Sequence, residues 1–207
     1  MTSTDRGETR TAARVPEALR RFIWDIQSMV ELAEDPREIL FIGRDLMLRL
    51  VSEEGWLPEP FGTAGEEPRL YELYRDGMER FCIAASVLGP GQGEPSFRDG
   101  VWEISGVLEG EVLRCEQADG AGGAMPIERR LSRGAVAVAP GTASVRMVNA
   151  SLEAGAVIIL VLGGDIGRMK RQRVAAGGSV QDMASGYDNP PEAPAYDILS
   201  IQAEVAD

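Results

Sequence analysis

In the stretch GPGQGEPSFRDGVWEISGVLEG, residues 89–110, Asp99 and Glu103 are the polar candidates for chemistry on one predicted strand. The 207 residues include no histidine. Without an imidazole base, Ser-His-Asp and Cys-His catalysis are excluded, and no histidine is present to activate either cysteine. The carboxylates of Asp99 and Glu103 could still transfer a proton, or could bind a divalent ion weakly near the surface through their oxygen atoms.

Two helices and a series of short strands must position these carboxylates. Apolar residues recur at helical spacing over residues 15–30, which predicts an amphipathic helix. Asp35 as N-cap, Pro36 at the first helical position and Glu38 as a capping-box acid predict the start of a second helix. Short apolar or alternating runs separated by glycine then predict strands at residues 81–88, 101–108, 112–115, 134–139, 145–148 and 156–162.

The length and the glycine content favour one β-rich domain with appendages. A chain of 207 residues can bury its own core, and its 24 glycines indicate many tight turns. We expect a disordered leader at residues 1–14, helices at 15–54, a barrel at 69–175 and a C-terminal tail at 176–207 that wraps the barrel.

Two spaced motifs resemble those of the cupin barrels. The first cupin motif, G-x5-H-x-H-x3-E-x6-G, is matched at its intervals by Gly91, Phe97, Asp99, Glu103 and Gly110. The second, G-x5-P-x4-H-x3-N, is matched by Gly134, Pro140, Val145 and Asn149. Flanking segments such as Gly163-Gly164-Asp165-Ile166-Gly167 and Ser185-Gly186-Tyr187 resemble the thiol dioxygenases of the cysteine dioxygenase type, over roughly residues 15–189. The resemblance implies a mainly β fold, the cupin double-stranded β-helix, a small antiparallel barrel with two N-terminal α-helices and a C-terminal wrapping tail.

The resemblance also locates an iron site whose ligands this sequence lacks. The family binds ferrous iron through three histidines, and the matching positions hold Phe97, Asp99 and Val145. The family's Ser-x-His-x-Tyr positions hold Ile158, Leu160 and Leu162. The arginine that binds the substrate carboxylate would fall near Leu70, with Arg69 and Arg75 close by, and Tyr187 lies in the family's Ser-Gly-Tyr tail. We therefore predict no metal, no cofactor and no iron thiol dioxygenase activity.

These replacements predict an apolar barrel interior, either a dry pocket or a packed core. A carboxylate in such surroundings has a raised pKa, which suits proton transfer near neutral pH. The predicted catalytic residues are Asp99 and Glu103. The predicted substrate-binding residues are Phe97, Trp102, Val145, Ile158, Leu160, Leu162, Arg75 and Tyr187. In the alternative interpretation, the carboxylates face solvent or pair with Arg98 or Arg146, Trp102 belongs to the core and Tyr187 tethers the tail.

Two functions follow from this sequence. We favour slightly a metal-independent, non-oxidative isomerase, lyase or cyclase that acts on a small, largely apolar biosynthetic intermediate by carboxylate acid/base chemistry. The alternative is a non-catalytic pseudoenzyme that retains the barrel to bind a ligand or a catalytic partner protein.

Composition limits the partners and the compartment. A formal net charge of −12 argues against nucleic acid, and we expect the basic run at residues 168–173 to be a solvated strand or hairpin face. The longest apolar run, residues 156–162, is too short to span a bilayer. Two isolated cysteines and no signal-like N-terminus predict a cytoplasmic protein. We expect a small-molecule ligand, and a homodimer or a protein partner remains open.

Overall fold

A computed structural model of the protein describes residues 14–118, 125–175 and 178–203. The predicted leader, apart from Arg14, lies outside the described residues. The helices are α1 Glu17–Leu32, α2 Pro36–Ser52 and α3 Ile198–Ala203, with a 3-10 turn at Glu59–Phe61. The strands are β1 Arg69–Arg75, β2 Cys82–Leu88, β3 Ser96–Arg98, β4 Glu103–Glu109, β5 Glu111–Ala118, β6 Ile127–Ser132, β7 Val136–Ala139, β8 Ala143–Asn149, β9 Ala156–Leu162, β10 Lys170–Val174 and β11 Val180–Ala184.

The strands form two antiparallel sheets that enclose the barrel interior. One sheet has the order β1-β2-β9-β4-β7 and the other the order β11-β10-β3-β8-β5-β6. This architecture confirms the predicted mainly β double-stranded β-helix with two N-terminal helices. None of the described helices is long and apolar enough to cross a membrane.

Helices α1 and α2 cover the outer face of the five-stranded sheet. The side chain of Asp35 accepts hydrogen bonds from the backbone N–H groups of Arg37 and Glu38, at 2.7 and 3.1 Å, which confirms the predicted N-cap. Glu38 accepts the N–H of Glu34 at 3.0 Å, one residue before the cap. The buried faces of the two helices pack on the sheet through residues such as Phe22, Ile26, Met47 and Val51. This layer keeps water from one side of the barrel wall.

The register of β2, β9 and β4 sets the levels of the inner face. Cys82 pairs with Leu162 and Leu162 pairs with Glu103, so these residues lie across one end of the sheet. One level further in lie Ala84, Leu160 and Ser105, and the next level holds Ser86, Ile158 and Val107. Because strand residues alternate between faces, all of these side chains point into the barrel.

The last part of the chain runs along the edge strand β1. The side-chain oxygen of Asn189 accepts the N–H of Glu72 at 2.7 Å, and its amide donates to the Glu72 carbonyl at 2.9 Å. The N–H of Asp188 donates to the Leu70 carbonyl at 2.8 Å. These bonds satisfy backbone groups that an edge strand would otherwise expose. The C-terminal tail also contains the regular elements β11 and α3, because β11 pairs with β10 in a hairpin and Ile201 of α3 is buried in the core.

Candidate functional site

The interior of the barrel divides into an apolar part and a charged part. The apolar part includes Leu88, Val107, Val112 and Met147 together with the predicted residues Ile158, Leu160 and Leu162. Val145 and Tyr187 pack against it while half-buried. The charged part, which we call the interior acid cluster, consists of Glu94, Asp99, Glu103 and Glu116 with Arg114, Arg171, Ser86 and Ser105. The predicted apolar interior around Asp99 and Glu103 is therefore found only in part, because further charged residues such as Arg114 and Arg171 also lie there.

Asp99 is held by Arg171. Nε and Nη2 of the guanidinium donate to the two carboxylate oxygens of Asp99 at 2.7 and 2.8 Å. The same guanidinium lies 3.8 Å from the centre of the Phe97 ring, a cation–π contact. The partner of Asp99 is thus neither Arg98 nor Arg146. The prediction that the basic run is a solvated face also fails for Arg171, which β10 turns inward and which is 9% exposed.

Glu103 and Arg114 connect the two sheets across the interior. Nη2 of Arg114, on β5, donates to Oε1 of Glu103, on β4, at 3.2 Å. Arg114 also forms an ion pair with Glu116, and its side chain is 2% exposed. Its Nε is buried without a hydrogen-bond partner in the described part of the chain. Burial raises the pKa of Glu103, the nearby Arg114 opposes this shift, and Asp99 adds to it.

Glu94 contributes a third inward carboxyl group. The hydroxyl of Ser86, on β2, donates a hydrogen bond to the Glu94 carboxyl, which connects the five-stranded sheet to the segment before β3. Burial raises the pKa of Glu94, and the charges of Glu103 and Asp99 act in the same direction. The positive charge of Arg171 acts against them. Glu94, Asp99 and Glu103 therefore interact electrostatically as one group.

Sequence reasoning missed most of the interior acid cluster. A usable signal existed in β5, where Val112, Arg114 and Glu116 alternate, and Val112 and Arg114 are buried on the inner face. Arg171 lies within a basic run, and Glu94 lies outside the strands, two residues before β3. The sequence offered no comparable signal for Glu94, because only tertiary contacts bring it to Ser86.

A second polar group contains two of the predicted substrate-binding residues, Tyr187 and Arg75. The phenol of Tyr187 donates to Oδ1 of Asp165 at 3.0 Å, and Nη1 of Arg75 lies 3.4 Å from Oδ2 of the same carboxylate. Burial raises the pKa of Tyr187 and raises the pKa of the neighbouring Cys82 thiol to about 11. The Tyr187 ring packs so closely on Gly167 that an added Cβ atom there would clash with it. Tyr187 and Arg75 thus belong to a contact that fixes the tail.

Trp102 and Val145 are separated by the barrel wall. Trp102 packs against the core on the helix side, and its ring lies against Gly163, where an added Cβ atom would clash with the ring. Val145 pairs in register with Phe97 and with Glu116, on the inner face. The second-motif residue Asn149 has a structural role, because its amide donates to the carbonyls of Gly89 and Ala154 at 2.9 and 2.8 Å.

The residues present do not fit a metal ion at the positions that match the iron ligands. Phe97 and Val145 have no donor atoms, and both oxygens of Asp99 accept hydrogen bonds from Arg171. Among the described residues, no group of three or more His, Cys, Asp or Glu side chains has an arrangement that could hold a metal ion. Of these three residues only Asp99 has atoms that could bind a metal ion, and the guanidinium of Arg171 lies beside it.

Comparison with known proteins gave solved structures of low sequence identity. No family model matches the chain. Similar solved structures include the cupin domain of Schizosaccharomyces pombe Cnp3, at 12% identity and a TM-score of 0.43 over 54% of this chain and 74% of that domain. A cupin family protein with a double-stranded β-helix fold from Methanocaldococcus jannaschii is 14% identical, with a TM-score of 0.39 over 50% of this chain and 86% of its own.

Oxalate oxidase in complex with the substrate analogue glycolate is also similar in structure. It is 19% identical to this chain, with a TM-score of 0.44 over 55% of this chain. The match spans 63% of the oxalate oxidase chain, which is less than two thirds of its length. Similarities of this size carry no conclusion about activity, so the chemistry must be argued from the side chains described above.

Proposed function

We propose that the protein is a metal-independent enzyme of the cupin fold, a histidine-free relative of the thiol dioxygenases, in which Glu103 transfers a proton to or from a small substrate. The observation that carries this proposal is the environment of Glu103. Its side chain is 12% exposed at one end of the barrel interior, and burial raises its pKa. A carboxyl group whose pKa is raised toward neutrality can both accept and return a proton under physiological conditions.

The two predicted catalytic residues have different roles in this proposal. Asp99 is fixed by two short hydrogen bonds from Arg171, whereas Glu103 has a single 3.2 Å contact with Arg114. Asp99 therefore acts as a fixed charge that positions Arg171, and Glu103 is the proton carrier. Carboxyl groups in contrasting environments divide acid and base roles in this way in other enzymes.

The neighbouring side chains support a substrate with an apolar body and one polar group. Leu162 is buried beside Glu103, and Phe97 and Val145 are half-buried on the facing sheet. The two guanidinium groups can donate to a substrate oxygen, and Nε of Arg114 has no partner among the described residues. An isomerisation, cyclisation or elimination needs only a proton removed at one atom and returned at another or lost with the leaving group, so no redox partner is required.

Deuterium exchange tests the proposal whatever the final product is, because it detects the proton transfer itself. The purified protein is incubated in D2O with a panel of small enolisable carbonyl compounds, and deuterium incorporation is followed by mass spectrometry. We expect incorporation into at least one compound, reduced about 100-fold or more in Glu103→Gln. Glu109→Gln, an exposed residue of the same strand, serves as the matched control and should match the wild type. Equal exchange by wild type and Glu103→Gln would remove Glu103 from the mechanism.

A specific observation also favours a second candidate function, the non-catalytic binding protein. Arg171 lies over Phe97 and neutralises Asp99, so the cluster is internally paired without a ligand. On this interpretation the barrel is a scaffold, and exchange would be absent for every compound of the panel. Elemental analysis of the purified protein tests what both candidates share, because stoichiometric iron would contradict them equally.

A further inference from the structure

We infer that a groove on the outer face of the six-stranded sheet is a second binding site, for a small organic molecule that carries an oxyanion, either a carboxylate or a phosphate. The groove has a volume of about 770 Å³. Ligand pockets for small molecules typically measure about 300–1,000 Å³. Its lining includes Ser96, Cys115, Ser144, Arg146, Arg173 and Gln181. This site is independent of the proton-transfer proposal.

On β5 and β8, the strand register places the groove residues on the face opposite the barrel interior, whereas Arg173, which also lines the groove, pairs in register with Phe97. Cys115 pairs with Arg146 and Gln117 pairs with Ser144, and all four line the groove. The alternate residues of the same strands, Arg114 and Val145 among them, point into the barrel. The five-stranded sheet carries α1 and α2 on its outer face, so the groove lies on the opposite side of the molecule.

The arginines of the groove differ from those of the interior in having no carboxylate partner. Arg114 and Arg171 are both in ion pairs, whereas no carboxylate of the described residues lies within ion-pair distance of Arg146 or Arg173. Glu94 also lines the groove, but its carboxyl group is turned inward to Ser86. Among the described residues that line the groove, the remaining acid is Glu128, whose Oε1 lies 3.7 Å from Sγ of Cys115.

Ser144 adds a hydroxyl group to the lining of the groove, two residues from Arg146 on the same face of β8. The residue is 2% exposed. Donors on Ser144, Arg146 and Arg173 together favour an acceptor-rich anion. A protein of net charge −12 would otherwise repel such a ligand.

The proposal is tested by titrating the full chain with citrate and, separately, with inorganic phosphate at constant ionic strength, and by following amide chemical shifts by NMR. We expect saturable shifts at the groove strands with at least one probe, and the stronger probe identifies the oxyanion. In Arg146→Gln we expect affinity to fall about tenfold or more, since a hydrogen bond to a charged group is lost. Ser144→Ala should weaken binding by a smaller factor.

Arg37→Gln is the matched control, because it removes one exposed cation from α2 on the opposite side of the molecule. It should bind the probes as the wild type does. An equal loss in Arg37→Gln and Arg146→Gln would show nonspecific attraction and overturn the proposal. Absence of saturable shifts at the groove with both probes would overturn it as well. Circular dichroism establishes that each variant is folded, and both arginine positions are exposed at the surface.

Discussion

Arg171 and Asp99 form a two-point ion pair inside the barrel, with Nε to Oδ1 at 2.7 Å and Nη2 to Oδ2 at 2.8 Å. Asp99 lies between Phe97 and Glu103 in the first spaced motif, and the guanidinium that holds it comes from β10. The side chains of the pair are 11% and 8% exposed. A buried carboxylate at this place therefore has a cation supplied by the protein itself.

Removal of Arg171 should destabilise the protein strongly. Arg171→Met leaves Asp99 buried without its partner, and we expect a loss of about 3–5 kcal/mol in the free energy of unfolding measured by urea denaturation. The double variant Asp99→Asn/Arg171→Met should recover most of this loss because neither charge remains. Lys170→Met, at the exposed neighbouring position of β10, should change the free energy by about 0.5 kcal/mol or less. Equal effects of Arg171→Met and Lys170→Met would refute the importance of the pair.

The raised pKa of Glu94 predicts a definite sign for the pH dependence of stability. A carboxyl group whose pKa is higher in the folded than in the unfolded protein favours folding while it is protonated, and this contribution is lost as the pH rises through the folded pKa. Glu94→Gln cannot ionise. The variant should therefore gain stability relative to the wild type between pH 5 and pH 8, as measured by urea denaturation at each pH.

Glu109→Gln provides the reference for the pH experiment, because Glu109 is exposed on β4. The difference in stability between Glu109→Gln and the wild type should stay constant over the same pH range. If Glu94→Gln behaved in the same way, the Glu94 carboxyl would not be buried as the structure places it.

Gly106 should tolerate no side chain. A Cβ atom there would lie 2.7 Å from Cγ of Met47 and 2.8 Å from Cγ1 of Val51, both on α2. Gly106→Ala must push α2 away from β4, and we expect about 1–3 kcal/mol of destabilisation by thermal or urea unfolding. Gly186→Ala is the control, because no atom lies within 4 Å of its added Cβ. Loss of stability in the control of the same size would argue against the close approach of the helix.

Cys82 should be unreactive in the folded protein. Burial raises the pKa of its thiol to about 11, so little thiolate exists at pH 8. In a Cys115→Ser background, alkylation by iodoacetamide at pH 8 should proceed only as fast as the protein unfolds. The same variant in urea should react at once, and rapid reaction without urea would contradict the burial of Cys82.

Much of the scaffold could be predicted from the sequence, because helix caps and apolar runs depend on residues that are close together in the chain. The N-cap at Asp35 and the apolar run that became β9, Ala156–Leu162, were predicted at the bounds that the structure shows. The glycine and proline spacing predicted two motifs, and the sequence contains no histidine at their positions. Strands with polar or short sequences, such as β3, β6 and β11, gave no signal of their own, since sheet pairing and not local pattern holds them.

The composition of the interior was decided only by tertiary structure. Asp99 and Glu103 could be selected from the sequence, but their partners lie 72 and 11 residues away in the chain. From the sequence alone, the basic run is predicted to be a solvated face. In the folded protein β10 lies next to β3, and Arg171 points inward. The type of each charged residue is known from the sequence. The distance between two charges and their exposure to water depend on how the two sheets pack against each other.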